Sequence, residues 1–155
     1  MTALCSELLS ALTGKTLVTA ESCTGGGIGA ALTGIPGSSS VYKGGIISYT
    51  NWVKERFLHV DRALLELYGA VSAPVAEAMA KGVREGMEAD IAVSVTGLAG
   101  PGGDDFGNPV GTVFIGYSDE KRTLSRKFHF PGNREQVRTA AVEAAVRLAL
   151  EMQRK

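Results

Sequence analysis

The sequence predicts a three-layer α/β/α domain on a mixed, mostly parallel sheet with one antiparallel strand, and two observations predict it. Short β-branched runs, Thr16-Leu17-Val18-Thr19 and Ile91-Ala92-Val93-Ser94-Val95-Thr96, alternate with segments of helical periodicity. Late in the chain, residues 111–118 and 122–130 read as strands joined by a turn alone, which makes them a hairpin and brings in the antiparallel member. Size agrees with this: 155 residues, 45% of them hydrophobic, suffice for one domain with a substantial core. Residues 1–155 are therefore expected to form a single domain without repeat or linker.

Leu4, Leu8, Leu9 and Leu12 fall at helical spacing before Gly14, so 3–13 read as an amphipathic helix. A strand follows at 16–20. Residues 24–33 read as a helix despite Gly25, Gly26, Gly27 and Gly29, each costing up to ~1 kcal/mol against Ala, so close backbone approach is implied. Ile35-Pro36-Gly37-Ser38-Ser39-Ser40 is a loop, and Gly45-Ile46-Ile47-Ser48-Tyr49 reads as a buried second strand. Asn51 is the expected cap of a helix running to His59. Ser72, Ala73 and Pro74 open another helix with Val75, Met79 and Val83 inside, Ala76 and Ala80 beside them. After the strand at 91–96 comes the glycine-rich loop Gly97-Leu98-Ala99-Gly100-Pro101-Gly102-Gly103. The hairpin turn is read at Ser118-Asp119-Glu120-Lys121, and Asn133 with Gln136 forms a capping-box variant that opens a helix to Gln153.

Lys plus Arg equal Asp plus Glu at 16 each, so no global field draws the chain to nucleic acid or an anionic membrane. Any anion must be captured locally. No apolar run approaches a membrane span of roughly 20 residues, and Met1-Thr2-Ala3-Leu4-Cys5 lacks the start of a signal sequence; a cytoplasmic protein is expected. Cys5 and Cys23 have no metal-binding spacing and are expected as reduced thiols.

Ligands of such sheets lie beyond the carboxyl ends of the parallel strands. Three segments should meet there: the turn at Ser22, the Tyr49 end of the second strand and the Gly97 loop. Ser22 stands between a strand end and a helix start, with the N–H groups of residues 23–25 beside it as oxyanion donors, a geometry suited to acyl transfer. The alternative is that Ser22 or Thr24 only caps the helix. Cys23 is a rival nucleophile or a small buried apolar group. The histidines, His59 and His129, are poorly placed as a base. Lys54 fits better: it lies in the first turn of a helix, where the dipole disfavours an ammonium, and its neighbours Thr50, Asn51, Phe57 and Leu58 offer no carboxylate. Lys81, between Glu77 and Glu85, is the solvated contrast. Lys54 remains either a base or a surface lysine on spacing alone. Asp104-Asp105 read as solvated turn residues or a weak metal signal, and Arg134 with Arg138 as either an anion site or, through Glu135, an ion pair.

Ala20-Glu21-Ser22-Cys23-Thr24-Gly25-Gly26, Gly37-Ser38-Ser39, Gly44-Gly45 to Tyr49-Thr50-Asn51 with Lys54, Gly69-Ala70-Val71-Ser72, Thr96-Gly97-Leu98-Ala99-Gly100-Pro101 and Pro109-Val110-Gly111-Thr112-Val113 together resemble the CinA C-terminal domain family, over nearly the whole chain. The resemblance is to its stand-alone members, nicotinamide mononucleotide amidohydrolases, and implies a five-stranded mixed sheet and a homo-oligomer. It implies a serine/lysine mechanism in which Ser22 attacks the carboxamide, Lys54 takes its proton, and N–H groups near Cys23 and Thr24 hold the oxyanion. Tyr49 would hold or stack on the pyridine ring. Thr24, Gly25, Ser39, Thr96, Gly97, Gly100 and Arg138 would contact ribose and phosphate, with Gly26 helping to open the helix toward the nucleotide. Neither metal nor cofactor is implied, and the substrate is a small nucleotide rather than nucleic acid. Asn108 and Asn133 depart from the family's usual Lys and Asp. A reading of another class, a non-catalytic nucleotide-binding or protein-interaction module, follows from the family's link to competence and DNA damage.

Overall fold

The computed structural model describes residues 1–155. Five strands, β1 (Leu17–Glu21), β2 (Tyr42–Ile47), β3 (Ile91–Gly97), β4 (Thr112–Asp119) and β5 (Thr123–His129), form one sheet in the order β2-β1-β3-β4-β5. β1 runs parallel to β2 and to β3, β4 is antiparallel to β3, and β5 is antiparallel to β4. β4 is thus the single strand running against the other four, as the late hairpin predicts.

Six helices cover the two faces: α1 (Thr2–Ala11), α2 (Gly27–Thr33), α3 (Asn51–Leu58), α4 (Arg62–Tyr68), α5 (Ala73–Gly86) and α6 (Arg134–Gln153). Cys5, Leu8 and Leu9 of α1, Ile28 and Leu32 of α2 and Val137, Ala141 and Val146 of α6 pack on Leu17, Val93, Val95, Val113 and Ile115. On the other face Leu58, Leu65, Val75, Met79 and Val83 pack on Val18, Ala20 and Ala92. Each fully buried Leu, Ile or Val contributes about 1.5–3 kcal/mol of transfer free energy. Because side chains alternate along a strand, Leu17, Thr19 and Glu21 face the α1–α2–α6 layer while Val18 and Ala20 face α5.

Four expectations are corrected. The segment 24–33 is helical only from Gly27; residues 22–26 form turns in which Gly25 (φ 58°) and Gly26 (φ 101°) take left-handed backbone. β2 is an edge strand that alternates half-buried and exposed residues rather than a buried one, and Ile47 is exposed. Its Ile46-Ile47 pair suggested burial, but β2 has only β1 beside it. Thr50 rather than Asn51 caps α3, its hydroxyl accepting from the Val53 N–H at 3.4 Å. The hairpin turn lies one residue later, where the Asp119 N–H donates to the Arg122 carbonyl and the Asp119 carboxylate accepts from the N–H groups of Lys121 and Arg122. α4 was not anticipated, although Asp61 is a legible cap that accepts from the Ala63 N–H at 3.0 Å. The Asn133–Gln136 capping box forms as read.

α5 crosses the end of α3 at Gly82, where a Cβ would lie 1.9 Å from the Leu58 carbonyl oxygen. Gly82→Ala is expected to cost about 1–3 kcal/mol or more through overpacking. Gly86→Ala, on the same helix with nothing within 4 Å, should instead gain up to ~1 kcal/mol. Urea unfolding midpoints moving in opposite directions would bear this out; equal shifts would not.

Candidate active site

β1, β2 and β3 end at the same edge of the sheet, and the segments that follow them surround a cavity of about 570 Å3. Ser22 and Cys23 come from the end of β1, Tyr49, Asn51 and Lys54 from the β2–α3 segment, and Gly97, Leu98, Ala99 and Gly100 from the loop after β3. The three segments named from sequence do meet. Ala70 and Val71 between α4 and α5, Phe106 and Arg134 complete the wall.

Lys54 lies in the first turn of α3 and is 1% exposed. Its Nζ donates to the Ser48 carbonyl oxygen at 2.8 Å and lies 3.1 Å from Ser22 Oγ. No carboxylate pairs with it, whereas Lys81, 64% exposed, has Glu85 at 3.9 Å. Burial pulls the Lys54 amine down from its usual 10.5 to about 8, with the nearby Cys23 working slightly the other way. The helix start alone would do less than this burial does. As an ammonium, Lys54 donates to both oxygens; as a neutral amine, it keeps the Ser48 bond and turns its lone pair to the Ser22 hydroxyl.

The Ser22 N–H donates to the Val95 carbonyl at 3.0 Å, and the Gly25 N–H closes a turn on the Ser22 carbonyl at 3.0 Å. Gly25 is therefore spent as an oxyanion donor. The N–H groups of Cys23 and Thr24 donate to no backbone carbonyl. Burial pushes the Cys23 thiol up to about 11, so it stays protonated near neutrality and is a poor nucleophile beside Ser22.

The remaining residues divide between cavity and scaffold. Tyr49, 56% exposed, lines the cavity and its hydroxyl accepts from Arg134 Nη2 at 3.0 Å. Thr96, Gly97 and Gly100 line it too, with the Thr96 hydroxyl donating to the Ala70 carbonyl at 2.8 Å. Thr24, Gly25, Gly26, Ser39 and Arg138 do not line it. The Thr24 hydroxyl donates to Glu21, and Gly26 packs near Ile47. Ser39 is exposed in a 3-10 turn before β2, at the opposite end of the strands. Arg138 donates from Nε to the Cys23 carbonyl at 3.0 Å and from Nη2 to the Thr24 carbonyl at 3.2 Å, so it braces the nucleophile loop from outside. Arg134, which the sequence offers with Arg138 as an anion site or an ion pair and which the family resemblance leaves out of its contacts, is the one of the two that lines the cavity: Nη1 donates to the Gly100 carbonyl at 2.7 Å while Nη2 reaches Tyr49. Its signal was present in the Arg134–Arg138 pair, which the fold splits between two tasks. His59 ends α3 in left-handed backbone and His129 Nε2 lies 3.1 Å from the Val110 carbonyl; neither reaches the cavity. Asp104 accepts from the N–H groups of Phe106 and Asn108 and from the Asn108 side-chain amide, which also donates to the Val71 carbonyl. Asn108 thereby ties the glycine loop to the start of α5.

Sequence and fold are similar to those of known proteins. The model of the CinA C-terminal domain matches residues 1–153. A CinA-like protein of Mycobacterium tuberculosis is 47% identical over 138 residues, which are 88% of this chain and 32% of that protein. One from Desulfotalea psychrophila is 50% identical over 130 residues, again 32% of its length, so the chain spans about a third of these relatives. The crystal structure of a competence damage-inducible protein A from Klebsiella pneumoniae superposes with a TM-score of 0.94 at 34% identity, covering 97% of this chain and 94% of that one. The competence/damage inducible protein CihA of Agrobacterium tumefaciens gives 0.94 at 37% identity, covering 99% and 95%. With a matching family model over nearly every residue and the same fold in its solved members, the chain belongs to the CinA C-terminal domain family.

Proposed function

We propose that this chain is a serine/lysine amidohydrolase that converts nicotinamide mononucleotide to nicotinic acid mononucleotide and ammonia. The observation that carries the reading is Lys54 Nζ, buried without a counter-charge, 3.1 Å from Ser22 Oγ. Ser22 Oγ bonds to the carboxamide carbon as its proton passes to Lys54, and the carbonyl oxygen becomes an oxyanion facing the Cys23 and Thr24 N–H groups. Lys54 returns the proton to the amide nitrogen, the C–N bond breaks and ammonia leaves. A water then attacks the ester, giving its proton to Lys54; the acid departs and Ser22 recovers its hydrogen. Arg134, the cation on the cavity wall, supports a phosphate-bearing substrate, and Tyr49 offers an aromatic face for the pyridine ring. The family resemblance adds a homo-oligomer in the cytoplasm; no helix here is long and apolar enough to cross a membrane.

Ammonia release from nicotinamide mononucleotide should fall at least ~10³-fold in Ser22→Ala, while Cys23→Ala stays within about threefold of the parent. Loss confined to Cys23→Ala would move the chemistry to the thiol. Tight nucleotide binding by calorimetry with no ammonia released would favour a non-catalytic binding module.

Only the neutral amine can take the serine proton, so activity should rise with pH through a midpoint near 8, the position to which burial brings Lys54. A rate profile for Lys54→Ala that keeps this limb would remove Lys54 as the base.

Arg134→Ala should raise KM about 10- to 100-fold, the scale of one charge-assisted hydrogen bond, with little change in kcat. An unchanged KM would put the phosphate elsewhere.

A further inference from the structure

Glu21 takes no part in the steps above, yet it is a carboxylate only 2% exposed, next to the nucleophile and without a Lys, Arg or His partner. Its negative charge is met by hydrogen bonds alone. Oε1 accepts from the Thr24 hydroxyl at 2.7 Å and the Ile28 N–H at 2.8 Å; Oε2 accepts from the Gly29 N–H at 3.0 Å and, at 3.5 Å, from the Thr19 hydroxyl. Thr19 in turn pairs with the Tyr42 hydroxyl at 2.7 Å. A carboxylate buried among so many donors is tolerated only if each bond is kept.

These bonds close a ring around residues 22–26. The near end of the loop is Glu21 itself, paired through its backbone with Ile47 and Val95 on the two flanking strands. The far end is the first turn of α2, whose N–H groups at Ile28 and Gly29 are taken by the Glu21 side chain, and Thr24 ties the middle. From outside, Arg138 holds the Cys23 and Thr24 carbonyls. A trans peptide points its N–H opposite to its carbonyl, so the Thr24 N–H is turned away from Arg138. Ser22 Oγ and the two unspent N–H groups therefore stand on a loop clamped on both sides. Gly29 allows it: a Cβ there would lie 2.7 Å from the Tyr42 hydroxyl and 3.6 Å from Glu21 Oε2.

We propose that Glu21 is a positioning residue that supplies, from within the chain, the anion at the start of α2 and so sets Ser22 against Lys54. A ligand phosphate is thereby kept from the Ile28 and Gly29 N–H groups and left to Arg134. The inference rests on Ser22 being the nucleophile.

The test uses a fluorophosphonate probe and intact-protein mass, so that it does not depend on which amide is the substrate. Ser22 Oγ bonds to phosphorus, the P–F bond breaks, fluoride leaves and the hydroxyl proton goes to Lys54. Glu21→Gln keeps the shape but turns an amide NH2 toward backbone donors, and Thr24→Val removes one donor without changing volume; Thr24→Ser retains it. Labelling should slow about 10- to 100-fold in Glu21→Gln and Thr24→Val, the cost of a misplaced nucleophile, and stay within about twofold in Thr24→Ser. The midpoint of the labelling rate against pH should stay near that of the parent, because Glu21 does not touch Lys54. Where the parent hydrolyses the nucleotide, kcat should fall and KM hold. If Glu21→Gln does not fold, Thr24→Val against Thr24→Ser decides. Parent-like labelling of a folded Glu21→Gln or of Thr24→Val, or equal slowing in Thr24→Ser, overturns the proposal. A parent whose Ser22 is never labelled overturns the nucleophile reading and this inference with it, whereas a labelled parent that releases no ammonia overturns only the choice of substrate.

Discussion

A lysine amine held out of water with no carboxylate beside it is the constraint on which the rest of the site depends. Moving its titration from 10.5 to about 8 corresponds to roughly 3 kcal/mol of disfavoured charge. The fold must absorb that cost, and it does so with two packed faces around one sheet. What is obtained is an amine that loses its proton close to physiological pH and stands within hydrogen-bond distance of a hydroxyl. The Ser48 carbonyl gives the amine one fixed direction, and the remaining direction is toward Ser22.

The same economy governs anions. The glycine-rich segment after β1 looks open to a phosphate, but its helix start is filled by the Glu21 carboxylate and its carbonyls by Arg138. The loop's carbonyls and the helix start that follows it thus each meet a group of opposite polarity from the chain itself. The guanidinium on the cavity wall is Arg134, bonded to the Gly100 carbonyl and the Tyr49 hydroxyl.

Much is legible in the sequence: the order of elements along the chain, the late hairpin and the Asn133 cap, which rest on local chemistry and periodicity. Ser22 and Lys54 each stand out as candidates with a bland alternative, and the family resemblance is what pairs them. Burial of β2 was misjudged because a run such as Ile46-Ile47 says that a strand is apolar, not whether it has one neighbour or two. The resemblance implies nucleotide contacts at Thr24, Gly25 and Gly26, but which way the loop turns is set by packing, which points the Thr24 hydroxyl at Glu21 and leaves the two glycines outside the cavity lining. Arg134 and Arg138 differ by one helical turn, and only the position of α6 against the loop separates their tasks.

By itself the sequence determined the fold class, the edge of the sheet where a ligand would bind and a lysine that its own helix leaves without a partner. Tertiary structure decided that this lysine is buried, that Cys23 stays protonated and that Glu21 rather than a ligand occupies the start of α2. The physical reason is that desolvation and hydrogen-bond direction are properties of what packs around a group. The groups doing the packing lie far away in the chain: Arg138 meets Cys23 across 115 positions, and Lys54 meets Ser22 across 32.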